Sequence, residues 1–452
     1  MKNRIIYILF LFLMFSYCFP QVKPYLKPNS FNNTQFSNYV YIEEKNNTFN
    51  FEINNQNDRI ILDLGKKGYY RIEIITNQLK KEDKIFIIDY NNNEFIGPYT
   101  LNDVYDNKIR TDIIHTNKII FELNTNIIEE HIHINLKYEE EKTNLSSNIN
   151  TVYKSNNSLR EEPVIIVTGF WPPTNEMIRH FSQNTDLNPN GWEGDNWENR
   201  GYDIISYFPT FDDPDCSNCG QGYGDFEVDY QDTSSDFWPI FNSLRPIGVI
   251  TFSRGYINLS WEVENNYYNR TNWYGDYSPP TLPTPNPPDE EEVAFFMRNS
   301  NLPMNDIVDN ISNLNLGLDP YIDINGDPGQ FVSEFMGYHG VWYRDLNSSG
   351  EDLCLSAGHV HVGGNIDIDT AKLATEETIR TLINHLDQFI YTPGDVNQDE
   401  LIDILDLVLI MNNILGVNDF SQIQFLSADM NEDGIINIQD MIIIINFILN
   451  NF

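Results

Sequence analysis

The sequence predicts three folds in one chain: an N-terminal all-β sandwich, a central open α/β sheet, and a small C-terminal helical module carrying two copies of an acidic loop. Three observations support this. The 452 residues exceed what a single core usually holds. Apolar residues alternate in short runs up to about residue 142, then form continuous runs separated by helix-compatible segments after residue 163. One spacing of oxygen-bearing side chains occurs twice after residue 392. The divisions are a leader at 1–20, the β-sandwich at 21–142, a linker at 143–162, the α/β domain at 163–391 and the terminal module at 392–452.

Lys2 and Arg4 precede an apolar run from Ile5 to Phe15 and then Ser16-Tyr17-Cys18, the pattern of a signal peptide. A lipid anchor on Cys18 is disfavoured, because Tyr17 stands where such sites need a small residue. No later stretch approaches the roughly 20 apolar residues of a membrane span, so a secreted protein is expected, with surface attachment as the second option. The chain carries 66 acidic against 28 basic residues, a formal charge of −38. That charge repels nucleic acid and anionic membranes. Cys216-Ser217-Asn218-Cys219 is read as a loop-stapling disulfide in preference to a metal knuckle, since no second ligand pair is present.

In the N-terminal region, runs such as Arg59 to Leu64 and Tyr70 to Ile75 read as strands broken by Asn- and Gly-containing turns. Lys84 to Asp89, Gly97 to Thr100 and Ile119 to Leu123 resemble the β-sandwich that precedes the catalytic domain in many secreted bacterial peptidases. Lys142 to Glu162, rich in Asn and Ser, reads as a linker.

In the central region, Val164 to Val167 ends in Thr168-Gly169-Phe170, the profile of a buried parallel strand feeding a functional loop. Similar runs occur at Ile204 to Tyr207, Gly248 to Phe252 and His359 to Val362. Helical segments are expected at Thr233 to Leu244, Met304 to Leu314 and Ala371 to Phe389. Ligands of such a sheet sit beyond the carboxyl ends of its strands. Pro279 to Pro288 holds six prolines, so an insertion without regular structure is expected there, with a lid as the alternative.

The terminal module places Asp395, Asn397, Asp399, Asp403 and Asp406 at loop positions one, three, five, nine and twelve, with the carbonyl of Leu401 at seven. Asp429, Asn431, Asp433, Asn437 and Asp440 repeat the plan, with the carbonyl of Ile435. Calcium takes six to eight oxygen ligands, which this spacing wraps around one ion per loop. Apolar helices follow, Leu407 to Leu415 and Met441 to Leu449. The two segments resemble a type I dockerin. The resemblance implies two calcium ions and a cohesin-type partner, contacted often through positions ten and eleven, here Ile404-Leu405 and Ile438-Gln439. Glu400 stands at position six of the first loop, where Gly normally supplies a positive-φ turn, so the first site is expected to be the weaker.

Acyl transfer needs a nucleophile, an imidazole base and an acid that orients it. Ser333, His361 and Glu262 are the candidates. Thr168-Gly169-Phe170, Trp261-Glu262-Val263-Glu264-Asn265, Pro328-Gly329-Gln330-Phe331-Val332-Ser333 and Gly358-His359-Val360-His361-Val362 are together similar to the pyroglutamyl peptidase I family. The resemblance runs from about Val164 to Leu386. It implies a cofactor-independent peptidase acting on a peptide or small amide, with Glu262, Ser333 and His361 catalytic and Phe170 substrate-binding. The family has Cys where this chain has Ser333. Cys354 is disfavoured as a displaced nucleophile, because six residues before His361 leave no room for the helix that follows the nucleophile in that fold. The alternatives are a pseudoenzyme or binding protein on the same scaffold, or a component of polysaccharide degradation, the last suggested only by the company dockerins keep.

Overall fold

The computed structural model describes residues 28, 39–43, 47–53, 59–76, 78–91, 95–104, 107–124, 132–140, 149, 151–154, 163–213, 216, 219–255, 257–324, 330–350, 352–399 and 401–450. The leader, Cys18, most of the linker, Pro328-Gly329 and Glu400 therefore lie outside the described residues.

Alternating apolar residues form the N-terminal strands β1 (Tyr39–Glu43), β2 (Thr48–Ile53), β3 (Arg59–Ile75), β4 (Lys84–Asp89), β5 (Phe95–Tyr99), β6 (Ile109–Asn124) and β7 (Ile132–Glu140). Where two stacked sheets are expected, pairing is continuous: one seven-stranded sheet runs β2-β7-β3-β6-β4-β5, with β1 parallel to β3. The reason lies in β3 and β6, 17 and 16 residues long, which pair with each other across a register break between Asp63 and Gly68. The half of β3 before the break pairs with β1, and the half after it with β7. Leu62 and Ile72, from the two halves, are both fully buried in one core.

The central domain contains β9 (Val164–Thr168), β10 (Asp203–Tyr207), β11 (Gly248–Gly255), β12 (Ser260–Glu264), β15 (Asp319–Asp323) and β16 (Ser356–Gly363) in the order β10-β9-β11-β16-β12-β15. The first four are parallel, as expected from their continuous apolar runs; β12 pairs antiparallel with β16 and parallel with β15. A small pair, β13 (Asn266–Tyr268) with β14 (Met297–Asn299), stands apart. The helices are α1 (Thr174–Met177), α2 (Tyr230–Leu244), α3 (Met304–Asn313), α4 (Val332–Leu346) and α5 (Ile368–Leu386). Val360 and Val362 of β16 share one core with residues of α3 and α5. Ala357 belongs to the core on the other face, with α2 and α4. The expected linker contributes β8 (Tyr153–Lys154), which pairs with β17 (Ile390–Tyr391) just before the terminal module; Ile149 and Tyr153 find apolar cover against the α3–α5 side.

The N-terminal sheet is anchored to the central domain by buried charge. Arg270, wholly buried, donates to Asp112 of β6 at 2.5 Å and to Glu334 of α4. Thr271 donates to Asp103 at 2.7 Å, and Gln330 to the carbonyl of Gly97 at 3.1 Å. The terminal module consists of α6 (Ile404–Ile414), α7 (Gln422–Ala428) and α8 (Ile438–Asn450) around Val396, Ile410, Ala428 and Ile444.

Candidate functional site

Successive strand residues point to opposite faces, so the valines of β16 that fill one core leave His359 and His361 on the face covered by α4. The register sets their neighbours. Thr251 and Ser253 of β11 stand opposite His359 and His361, and on the other side Glu264 and Glu262 of β12 do the same. One face of the sheet thus turns from apolar at Val249 and Ala357 to a row of hydroxyls, imidazoles and carboxylates.

Within that row, His361 Nδ1 lies 2.6 Å from Glu264 Oε1, and Glu264 is fully buried. The acid bonded to the candidate base is therefore Glu264 and not Glu262. Glu262 is directly opposite His361 but is hydrogen-bonded to Tyr321 on its other neighbour, β15. Glu264, the diagonal neighbour, makes the bond. Donor atoms of Glu262, Glu264 and His361 all lie within 4.8 Å of one another. Burial pushes the His361 imidazole down to about 4, so it is neutral near pH 7. With its Nδ1–H held by Glu264, Nε2 carries the lone pair. His359 makes a separate buried set, with Thr251 Oγ1 at 2.7 Å and Ser253 Oγ at 2.8 Å, and its ring centre is 4.7 Å from that of His361.

Ser333 is the second residue of α4. Gly337, one turn later on the same helical face, is so close to the sheet that a Cβ there would stand 3.2 Å from His359 Cβ and 2.9 Å from the Tyr267 ring. Only glycine allows that approach. Gly340, further on, faces Val249 and Thr251, so the helix runs opposite to the strands. Four helical residues rise about 6 Å and two strand residues about 6.6 Å. By these rises Ser333 falls about level with His361, in the N-terminal turn of α4, whose dipole favours developing negative charge.

Phe170 is 4 % exposed and sits in the aromatic core beneath α2 and α4. Its loop is tight: Phe170 N–H donates to Thr174 Oγ1 at 2.9 Å, and a Cβ on Gly169 would fall 2.3 Å from the Thr174 carbonyl oxygen. Cys354 lies before the first residue of β16, and the strand from Ser356 to His361 alone spans about 17 Å, so it is remote from the imidazole. It is buried, and burial pushes its thiol up to about 12. Cys216 and Cys219 form a disulfide. Arg254, at the end of β11, donates to the carbonyls of Pro172 and Cys216 and so ties both loops to the sheet.

In the terminal module the two acidic loops are built alike. Asp406 Oδ1 accepts from the N–H groups of Val396 and Asn397 at 2.7 and 3.0 Å, and its Oδ2 from Asp403 N–H at 2.9 Å. Asp440 does the same for Met430, Asn431 and Asn437 at 3.0, 3.4 and 2.9 Å. Asp395 and Asp429 each accept from the N–H of position five, Asp399 and Asp433. The metal-ligand candidates offer oxygen throughout, and backbone N–H groups fix the carboxylates, an arrangement that fits a hard cation such as calcium. Gly434, position six of the second loop, has a φ of 78°.

Residues 393–449 match the dockerin type I domain family. This segment is a dockerin type I domain. Dockerin type I domains bind calcium and pair with cohesins. At positions ten and eleven of the two loops Ile404, Leu405 and Ile438 are exposed by 69, 54 and 66 %. No curated protein matches the chain. Among solved structures, the chain is similar to a mutant pyrrolidone carboxyl peptidase from the hyperthermophile Pyrococcus furiosus, with 12 % identity, 49 % of this chain and 99 % of that chain covered, and a TM-score of 0.34. It is also similar to pyroglutamyl peptidase I from Bacillus amyloliquefaciens, with 14 % identity, coverage of 50 and 98 %, and a TM-score of 0.34. No helix among the described residues is long and apolar enough to cross a membrane.

Proposed function

We propose that the chain is an exported amide- or peptide-bond hydrolase of pyroglutamyl peptidase type, with serine as nucleophile. Its dockerin, ordered by two calcium ions, attaches it to a cohesin-type partner. One observation supports the hydrolase reading: a buried imidazole is bonded to a carboxylate at 2.6 Å on the sheet face over which α4, with Ser333 in its first turn, is packed at Gly337. Ser333 Oγ attacks the carbonyl carbon while His361 Nε2 takes its proton, and Glu264 stabilises the imidazolium. The developing oxyanion is favoured by the positive end of the α4 dipole. Collapse breaks the C–N bond, and the amine leaves with the proton from His361. Water then releases the acyl group by the same route. Glu262, hydrogen-bonded to Tyr321, serves in this scheme as a second carboxylate near His361 that favours the imidazolium formed in the transition state.

For the dockerin, Asp395, Asn397, Asp399, Asp403 and Asp406 with the Leu401 carbonyl would hold one ion, and Asp429, Asn431, Asp433, Asn437 and Asp440 with the Ile435 carbonyl the other. Bound calcium neutralises the clustered carboxylates and ties each loop to the helix that follows.

A non-hydrolytic binder on the same scaffold is favoured by one observation, the hydroxyl at 333, which is a far weaker nucleophile than a thiolate. The test is hydrolysis of a fluorogenic pyroglutamyl amide and a panel of other N-terminal amides by wild type, Ser333→Ala, Ser333→Cys and Cys354→Ala. Activity that survives Cys354→Ala and vanishes in Ser333→Ala supports the hydrolase. Cleavage by Ser333→Cys alone supports the binder.

A further inference from the structure

A cleft of about 350 Å³ opens on the side of α4 that faces away from the sheet. Its volume falls within the roughly 300–1,000 Å³ of small-ligand sites. Helix α2 supplies Gln231, Ser234 and Trp238 to it, and α4 supplies His339 and Trp342. The opposing wall is the proline-rich insertion, through Pro283, Pro285 and Pro288. Gln231 Nε2 donates to the Leu282 carbonyl at 2.8 Å and so fastens that wall to α2. The insertion is thus one side of a built cleft.

The chemistry of the lining is specific. Trp238 and Trp342 stand edge to face, with ring centres 4.8 Å apart and planes at 86°, and present flat apolar surface. Beside them His339 donates from Nδ1 to the Phe335 carbonyl at 2.8 Å, which leaves Nε2 to Ser234 Oγ at 3.4 Å. Burial pushes this imidazole down to about 4, so it is uncharged near neutral pH. Among the described residues no Asp, Glu, Lys or Arg lines the cleft, in a chain of net charge −38. The Gln231 Oε1 atom is buried and has no hydrogen-bond partner among the described residues, an acceptor that costs stability until a donor reaches it.

We infer that this cleft binds a neutral saccharide, one or two pyranose or furanose rings stacked on Trp238 or Trp342, with hydroxyls bonded to Gln231 and Ser234. A sugar presents an apolar ring face and hydroxyls that both donate and accept, which matches aromatic platforms interleaved with hydroxyl and amide. A proline-rich peptide would also stack on the tryptophans, but its prolines offer only carbonyl acceptors and would leave the Gln231 acceptor unanswered. The site is independent of Ser333 and would place the chain on a glycan or glycosylated surface whether or not it hydrolyses amides.

The test is calorimetry and tryptophan-fluorescence titration of the full chain with cello-, xylo- and manno-oligosaccharides and with a proline-rich peptide. The expected result is saturable binding of at least one saccharide, weakened at least about tenfold, the scale of losing an aromatic anchor, in Trp342→Ala and unchanged in Ser333→Ala. Should Trp342→Ala unfold, Ser235→Arg, at an exposed lining position, fills the cleft without entering the core and is expected to abolish binding. No saccharide binding, binding indifferent to both substitutions, or binding of the peptide alone would overturn the proposal.

Discussion

At the scale of residues, the choice between two glutamates decides how the candidate site works. Glu262 and Glu264 share a face and both lie near His361, yet the 2.6 Å bond belongs to Glu264. Glu264→Gln should lower kcat/KM by roughly 10²–10⁴-fold, the scale of losing an acid that holds the base in its tautomer. Glu262→Gln should cost much less. Steady-state kinetics on the same amide substrate compares them. Burial has a second consequence. His361 accepts a proton only while neutral, and with its imidazole pushed down to about 4 the acid limb of kcat/KM should fall near pH 4. An ordinary histidine would give a limb near 6.5. A pH–rate profile with its acid limb at 6 to 7 would speak against His361 as the base. Arg270 is the other decisive residue. Its removal leaves Asp112 and Glu334 buried without their cation, so Arg270→Ala should destabilise the fold by about 3–5 kcal/mol, measured by denaturant unfolding.

At the scale of elements, β16 shows what periodicity reveals and what it hides. Its alternation of Val360 and Val362 with His359 and His361 marks a strand with two unlike faces, and the strand is there. The three helices expected from spacing occur as α2, α3 and α5. Helix α4 carries no such signal, because Phe335, Met336, Gly337, Tyr338, His339 and Gly340 are buried in succession, so no polar face interrupts its pattern. Only the family resemblance pointed to a helix there. The acid was illegible for a related reason: alternation puts Glu262 and Glu264 on one face, and the hydrogen bonding of β15 and β16 sorts them. The dockerin was legible as a domain, since a loop plan with oxygens at fixed positions occurs twice in its sequence. Calorimetry should give two calcium ions per chain, reduced to one by Asp440→Ala, whose carboxylate gathers three N–H groups of its loop. Chelation should lower the melting temperature of the terminal module, because at free calcium of 100 times Kd the bound form gains about 2.7 kcal/mol.

At the scale of the whole molecule, the N-terminal sheet and the α/β domain share apolar packing and buried charge, and are expected to fold as one unit. Tyr268 and Phe295 of the central domain sit in the core of the N-terminal sheet, and the Asp112–Arg270–Glu334 chain ends one residue from Ser333. Deleting residues 21–142 should therefore yield insoluble or molten protein, as judged by near-ultraviolet circular dichroism, whereas deleting 392–452 should leave the α/β domain folded. The dockerin is joined more lightly, through the β8–β17 pair and the Lys154–Glu432 ion pair, an exposed contact of the kind that contributes little.

The most direct test of the central claim, that Ser333 is a nucleophile served by His361 and Glu264, is covalent labelling with a fluorophosphonate followed by peptide mass spectrometry. This reagent needs no knowledge of the substrate. The account predicts one adduct, on Ser333, lost in His361→Ala and much slowed in Glu264→Gln. A folded wild-type protein that takes no label, or takes it on another serine, would contradict it.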